Sequence, residues 1–204
     1  MTFGDFTFPQ VQRDLGLKVT EADLFANALA TTPRAEFQAQ LGLGSRVALA
    51  INTEKARSEF MIAPVLLELR RLVGDRLGLF SGVPLVGDPD RGLTGICDFL
   101  ITTSGLQLTV AAPLIAVVES KNDNLLTGLG QCIASMVAAQ LVNGREGINE
   151  RVVSGAVTTG SAWKFLQLNG MHLTIDRREY SITDAGMILG ILLQIVSSAG
   201  DLNS

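Results

Sequence analysis

The residues best suited to chemistry are Glu119 and Lys121, which follow the apolar run 113–118. The β-branched content of that run predicts a buried strand. Side chains alternate between the two faces of a strand, so we expect Glu119 and Lys121 to share a face with Val117 and Ile115. A carboxylate and an ammonium are costly to desolvate there. They are therefore expected to pair with each other or to hold a ligand.

A second acid, Asp98, stands in the middle of an apolar run, 94–101, that also predicts a core strand. Aspartate is depleted in strands, so its presence there needs a reason. One interpretation is an edge position or a bulge that lets the carboxylate reach water. The other is a functional site that Asp98 shares with the end of the neighbouring strand.

Two predicted helices add candidate residues. In the helix predicted over 54–73, which Pro64 should kink or restart, Glu59 lies on the apolar stripe and is expected to face inward, whereas Glu54 is expected to be solvated. The alternative for Glu59 is a glutamate at the rim of the helix that reaches water. In the helix predicted over 125–141, Gln131 shares a side with small residues that would let the helix lie close to a sheet. The alternative is an ordinary solvent-facing glutamine.

If the two strands are adjacent, Asp98 and Glu119 come close enough to repel each other unless a cation lies between them. The chain has one histidine and two cysteines, so oxygen ligands are the available kind, and these favour Mg²⁺ or Mn²⁺. A divalent ion lowers the pKa of its bound water and polarises a phosphoryl oxygen. An ammonium such as that of Lys121 stabilises developing negative charge. Together these groups could hydrolyse a phosphodiester.

The order of these residues along the chain resembles the PD-(D/E)XK nuclease superfamily, whose fold is restriction-endonuclease-like. The resemblance covers about 52–168, in the order helix, strands, helix, strand. The segment 157–165, which contains Trp163, also looks like uncharacterised bacterial members of that superfamily. The matching residues are Glu59, Asp98, Glu119-Ser120-Lys121 and Gln131.

The resemblance implies a role for each matching residue. Asp98 and Glu119 would bind Mg²⁺ or Mn²⁺, and Glu59 would assist metal or water binding. Lys121 would position or activate the attacking water, and Gln131 would support the site.

A literal proline–aspartate pair, Pro89-Asp90, also occurs in the chain, but it lies in a polar turn cluster. Asp98 lies in an apolar strand and is therefore the expected metal ligand.

The chain of 204 residues is long enough for one domain with a sizeable core. We predict an α/β fold in which a mixed central β-sheet is flanked by helices. Its parts are a helical N-terminal extension (1–50), the nuclease-like core (52–168), and a hairpin with a C-terminal helix (169–204). In the extension, Thr20 is expected to cap a helix, and Gly42 and Gly44 are expected to break the chain.

The net charge of −4 argues against a broadly basic nucleic-acid binder. A local basic patch stays possible, with Lys55/Arg57, Arg70/Arg71 and Arg177/Arg178 as the candidate clusters.

We expect a cytoplasmic protein with no membrane segment. The N-terminus lacks the features of a signal peptide, and the apolar stretch 187–196 is too short to span a bilayer. The hydrophobic content of 47% suggests a possible homodimer, with the last helix, predicted over 187–197, as its surface.

The sequence therefore predicts a Mg²⁺-dependent nuclease that acts on DNA. One alternative is a catalytically inactive protein of the same fold that binds nucleic acid, another protein or itself. Another is an unrelated α/β protein in which Glu119 and Lys121 form a structural salt bridge.

Overall fold

The computed structural model describes residues 1–148 and 152–199. Its helices are α1 (Phe8–Asp14), α2 (Ala35–Ile51), α3 (Glu54–Arg57), α4 (Ala63–Val73), α5 (Leu125–Arg145) and α6 (Ala185–Ala199), with a π-helical segment, Ser58–Ile62, between α3 and α4. Its strands are β1 (Lys18–Ala22), β2 (Gly78–Asp88), β3 (Leu93–Thr102), β4 (Leu114–Ser120), β5 (Val153–Thr158), β6 (Ala162–Asn169), β7 (His172–Asp176) and β8 (Tyr180–Ser181). Residues 200–204 of the predicted C-terminal part lie outside the described residues.

These strands form one mixed sheet in the order β1-β7-β6-β5-β4-β3-β2, with β8 added alongside β6. The pairs β4–β5 and β1–β7 are parallel, and the other pairs are antiparallel. Parallel neighbours need a crossover connection, and α5 supplies it between β4 and β5. The predicted α/β class with a mixed central sheet and flanking helices is confirmed. The finer expectation of a restriction-endonuclease-like core stays a prediction.

Helices cover both faces of the sheet and create two apolar cores. One core holds α1 and α5, with Leu129 and Ile133 among its members. The other holds α4 and α6, with Leu66 and Ile188 among its members. Every residue of β4 is buried because both of its faces are covered. This explains why its sequence is continuously apolar up to Glu119.

The predicted helical N-terminal extension is wrong in one element. The helix expected to begin at Thr20 is instead strand β1, whose residues pair in parallel with β7 at the edge of the sheet. Hydrogen bonding to an open sheet edge here outweighs a weak capping signal. Phe3 and Phe6 are buried in the core beside α5, so this segment is part of the domain core.

Gly42 and Gly44 do not break the chain, because both lie within α2. Gly44 lies where α2 crosses the π-helical segment, and a Cβ atom built on it would collide with the main-chain carbonyl of Phe60. The glycine therefore allows two helices to approach closely, which compensates for its low helix propensity.

The long helix predicted over 54–73 is present, and Pro64 restarts it as predicted. Proline has no N–H for an α-helical bond to Phe60. The helix widens just before it, and the N–H of Ala63 bonds to the carbonyl of Ser58 in the π pattern. Glu59 therefore lies in a segment with irregular helical spacing.

Two helical segments are long and apolar enough to cross a membrane by length and composition: Leu125–Arg145 and Ile182–Ala199. The stretch 187–196 is thus part of a longer helical segment, which, unlike the stretch alone, reaches the length needed to span a bilayer. Within the protein, 61% and 56% of these windows are buried, and core helices of soluble proteins meet the same criteria. The apolar face of α6 packs in the core, so it does not form the exposed dimer surface that we expected.

The two glycines of α2 give a matched test of the helix crossing. We expect Gly44→Ala to lower the free energy of unfolding by about 1–3 kcal/mol, because the added methyl overpacks the contact with Phe60. Gly42→Ala, with nothing within 4 Å of the new methyl, should raise it by about 0.5–1 kcal/mol. Urea unfolding followed by circular dichroism measures both. Equal effects of the two substitutions would contradict the assigned crossing.

Candidate active site

The end of β4 positions the acid–lysine pair. Val117 belongs to the core on the α5 side, and Glu119 and Lys121 follow at alternate positions, on the same face. Ile115 does not share that face, as we had expected, but packs in the opposite core. The cause is an irregularity in the pairing of β4 with β3, between the pairs Ile101↔Ala116 and Thr102↔Leu114. A bulge of this kind shifts the alternation of side chains.

Glu119, Lys121 and Gln131 form a hydrogen-bonded chain between β4 and α5. The ammonium Nζ of Lys121 donates to Oε1 of Glu119 at 2.7 Å and to Oε1 of Gln131 at 3.3 Å. Glu119 is only 3% exposed. Lys121 lies against Gly128 of α5, where a Cβ atom would come within 3.0 Å of its side chain. Gln131 therefore faces the sheet and holds the lysine, and the solvent-facing alternative does not apply.

Asp98 reaches the same end of β4 from the neighbouring strand. Its side chain is half-buried, and Oδ2 accepts a hydrogen bond from the main-chain N–H of Ser120 at 2.8 Å. The carboxylate takes the place of a main-chain acceptor at a point where regular β3–β4 pairing has ended. Asp98 is not at an edge of the sheet, because β3 lies between β2 and β4.

Burial and neighbouring acids dominate the electrostatics of the pair. Burial raises the pKa of Glu119 to about 8, and the nearby carboxylate of Asp98 adds to this rise, against the opposing effect of Lys121. Burial lowers the pKa of Lys121, but the attraction of Glu119, Glu54 and Asp98 outweighs it and raises that pKa overall. The three acidic side chains around Lys121 thus outnumber its single ammonium. A site of this charge favours an added cation.

A cavity of about 290 Å³ lies between the start of the long helix, the middle of β2 and β3, and the end of β4. It is lined by Glu54, Lys55, Ser58, Glu59, Ser81, Asp98 and Ser120.

Glu59 does not face the core as predicted. Its side chain is 51% exposed, and it forms an ion pair with Lys55 at 2.8 Å, although it lines the cavity. Glu54, which we expected to be simply solvated, also lines the cavity, and its charge acts on both Glu119 and Lys121. The π-helical segment explains the error, because α-helical spacing does not predict the direction of a side chain within it.

Ser120 lies within the motif Glu119-Ser120-Lys121, but the sequence assigns it no role in the site. It is 1% exposed and lines the cavity, yet its Oγ has no hydrogen-bond partner among the described residues. A buried hydroxyl without a partner is uncommon and costs free energy. The available signal was its position between Glu119 and Lys121, since the alternation of a strand must direct the intervening side chain to the opposite face.

The donor set fits a hard divalent cation in chemical type, because it consists of carboxylate and hydroxyl oxygens. Asp98 keeps one carboxylate oxygen beyond the bond to Ser120, and its charge lies close enough to Glu119 to raise the pKa of that acid. Within residues 1–148 and 152–199, no group of three or more His, Cys, Asp or Glu side chains is arranged to hold a metal ion. Water and substrate oxygens would therefore have to complete the coordination, as is usual for Mg²⁺.

No protein-family model matches the chain, and comparison with curated proteins finds no match.

The raised pKa of Glu119 predicts how stability depends on pH. An acid whose folded pKa is raised contributes stability that is complete below the unfolded value of 4.5 and is lost as pH rises through about 8. In EDTA we expect this contribution to fall by at most about 1.4 kcal/mol per pH unit across that interval. Glu119→Gln should remove this part of the pH dependence, because its amide does not ionise.

Urea unfolding at a series of pH values measures the effect, with Glu21→Gln as an exposed control on β1. The control should keep the wild-type slope. A slope in Glu119→Gln equal to that of wild type would contradict the assignment to Glu119.

Proposed function

We propose that the protein is a divalent-metal-dependent nuclease that hydrolyses phosphodiester bonds of DNA. The observation that carries the proposal is the convergence of Asp98 with the buried Glu119–Lys121 pair at the end of β4. Two carboxylates, a tethered ammonium and an adjoining polar cavity are what metal-assisted phosphodiester hydrolysis requires.

The order of elements also supports the proposal. A long helix bearing Glu54 and Glu59 is followed by strands β2, β3 and β4, then by α5 with Gln131, then by β5. This is the order on which the resemblance to the PD-(D/E)XK superfamily was based. The described fold is compatible with that resemblance at the coarser level of a mixed sheet flanked by helices.

In the proposed reaction Asp98 and Glu119 would hold the cation, and Glu54 or Glu59, which line the cavity beside Asp98, would act as an outer acid. The ion, when bound, would polarise a phosphoryl oxygen and lower the pKa of a water. Lys121 has three N–H donors, and Glu119 and Gln131 accept two of them. The remaining N–H can orient the attacking water or bind a phosphoryl oxygen. Gln131 positions the lysine and does not touch the reacting atoms.

A second candidate function is a catalytically inactive protein of this fold that binds nucleic acid or protein. The 2.7 Å pairing of Glu119 with Lys121 favours it, because a lysine that neutralises its neighbouring acid already occupies the place of a cation. The acidic net charge of −4 favours it as well. The two candidates differ in whether cleavage depends on a divalent ion.

Cleavage of fluorescent DNA in the presence of Mg²⁺ or Mn²⁺ tests the proposal. We expect Asp98→Asn and Lys121→Met each to reduce the rate by about 10²-fold or more, because each removes a group that acts on the transition state. Asp90→Asn is the matched control, since Asp90 is an exposed acid in the turn between β2 and β3. It should cleave at the wild-type rate.

Wild-type rates in Asp98→Asn or Lys121→Met would overturn the assigned site. Absence of any metal-dependent cleavage by the wild type, combined with DNA or protein binding, would establish the inactive alternative. Circular dichroism of each variant shows whether a loss of activity reflects loss of the fold.

The melting temperature reports metal binding independently of cleavage. A ligand that binds only the native state adds about 2.7 kcal/mol at one hundred times its Kd. We expect Mn²⁺ to raise the melting temperature of wild type and of Asp90→Asn but not that of Asp98→Asn. An equal rise in all three proteins would place the ion elsewhere, and no rise in any would favour the inactive alternative.

A further inference from the structure

Two basic residues, Lys164 and Arg177, lie beside the candidate site on the neighbouring strands of the sheet. Glu119 of β4 is the register partner of Val157 on β5, and Val157 is the partner of Lys164 on β6. Register partners on neighbouring strands present their side chains to the same face of a sheet. Lys164 therefore lies on the face of Glu119, two strands away, or about 10 Å at the usual strand spacing.

Arg177 extends this row by one more strand. Its main-chain N–H bonds to the carbonyl of Ala22 and so continues the parallel pairing of β7 with β1. Leu173 and Ile175 belong to the core on the α5 side, and the alternation of β7, continued one residue past its end at Asp176, directs Arg177 to that same face. The ammonium of Lys164 donates to the carbonyl of Arg177 at 3.3 Å, which fixes the two residues side by side.

Both cations are available for a ligand. Arg177 is exposed and Lys164 is half-buried. Among the described residues neither takes part in an ion pair. The row ends at the next residue, Arg178, whose guanidinium is 3.9 Å from the carboxylate of Asp23.

The other two basic clusters of the sequence differ from Lys164 and Arg177 because three of their four side chains are already in ion pairs. Lys55 pairs with Glu59, Arg71 with Glu68, and Arg70 with Asp75. Arg57 donates to the main-chain carbonyl of Thr159 and to the side chains of Ser161 and Asn52, so it holds the β5–β6 turn in place.

We infer that the row Lys121–Lys164–Arg177 binds the phosphate backbone of one nucleic-acid strand, which crosses the end of the sheet on its α5 face. The inference rests on the proposed function, and it adds the path that the substrate follows away from the reacting phosphate. A line of positive charges beside an acidic metal site binds a polyanion at successive phosphates. It also explains how an acidic protein can hold DNA, since the charge that matters is local.

Binding to DNA in EDTA tests the path separately from catalysis. The measurement is fluorescence anisotropy of a labelled 20-base-pair duplex, on wild type, Lys164→Gln, Arg177→Gln and the double variant. Each lost phosphate contact should weaken binding about eightfold at 0.1 M salt and reduce the slope of log K against log [NaCl] by about 0.9. The loss should be the same for duplexes of different sequence, because phosphates carry no sequence information.

Lys18→Gln and Arg46→Gln are the charge-matched controls. Lys18 begins β1 at the opposite end of the sheet, Arg46 lies on α2, and both side chains are exposed. Their double variant should keep wild-type affinity and slope.

The outcomes separate the path from the proposed function. Loss of affinity and slope in the Lys164 and Arg177 variants alone supports the path, whether or not the protein cleaves. Equal binding by these variants and the controls overturns the path and leaves the nuclease proposal standing. If binding is too weak to measure but cleavage occurs, the KM for DNA is compared instead. A KM that is higher in the Lys164 and Arg177 variants than in the controls supports the path, and an equal KM overturns it. A wild type that neither binds nor cleaves DNA overturns both.

Discussion

The buried hydrogen-bonded pair of Glu119 and Lys121 is the constraint on which the rest of the site depends. Burial disfavours the charged form of Glu119, which is 3% exposed, and the ammonium 2.7 Å away, which a glutamine of α5 holds, opposes that effect. The pair in turn requires a strand that is covered on both faces and a helix that approaches it closely. Gly128 permits that approach, because a larger residue would displace the lysine.

The same end of the sheet separates two environments. On the α5 face, Glu119, Lys121 and Gln131 are tied together by hydrogen bonds. On the other side of β4, Ser120 and Asp98 line a cavity with the acids of the long helix. Asp98 connects the two, since it bonds to the main chain of Ser120 and its charge acts on Glu119. A cation or a phosphate placed here would contact groups from both sides of the strand.

Close contacts between main-chain segments hold this arrangement together. Gly44 lets α2 cross the π-helical segment, and Gly130 of α5 lets the segment around Phe6 pack against the helix. The N-terminal residues therefore belong to the support of α5, and α5 supports the lysine. This is why the first 50 residues are not an accessory extension but part of the frame that positions the site.

The sequence by itself determined the elements with strong local signals: the strand before Glu119, the hairpin that opens the segment 169–204 and the restart of the helix at Pro64. Each follows from hydrophobic periodicity or from a residue with fixed backbone chemistry. Only the tertiary structure decided that Thr20 belongs to a strand, that Ile115 lies opposite Val117, and that Glu59 faces Lys55. Edge pairing, a bulge and a π turn caused these differences, and all three depend on neighbouring segments that a local pattern does not contain.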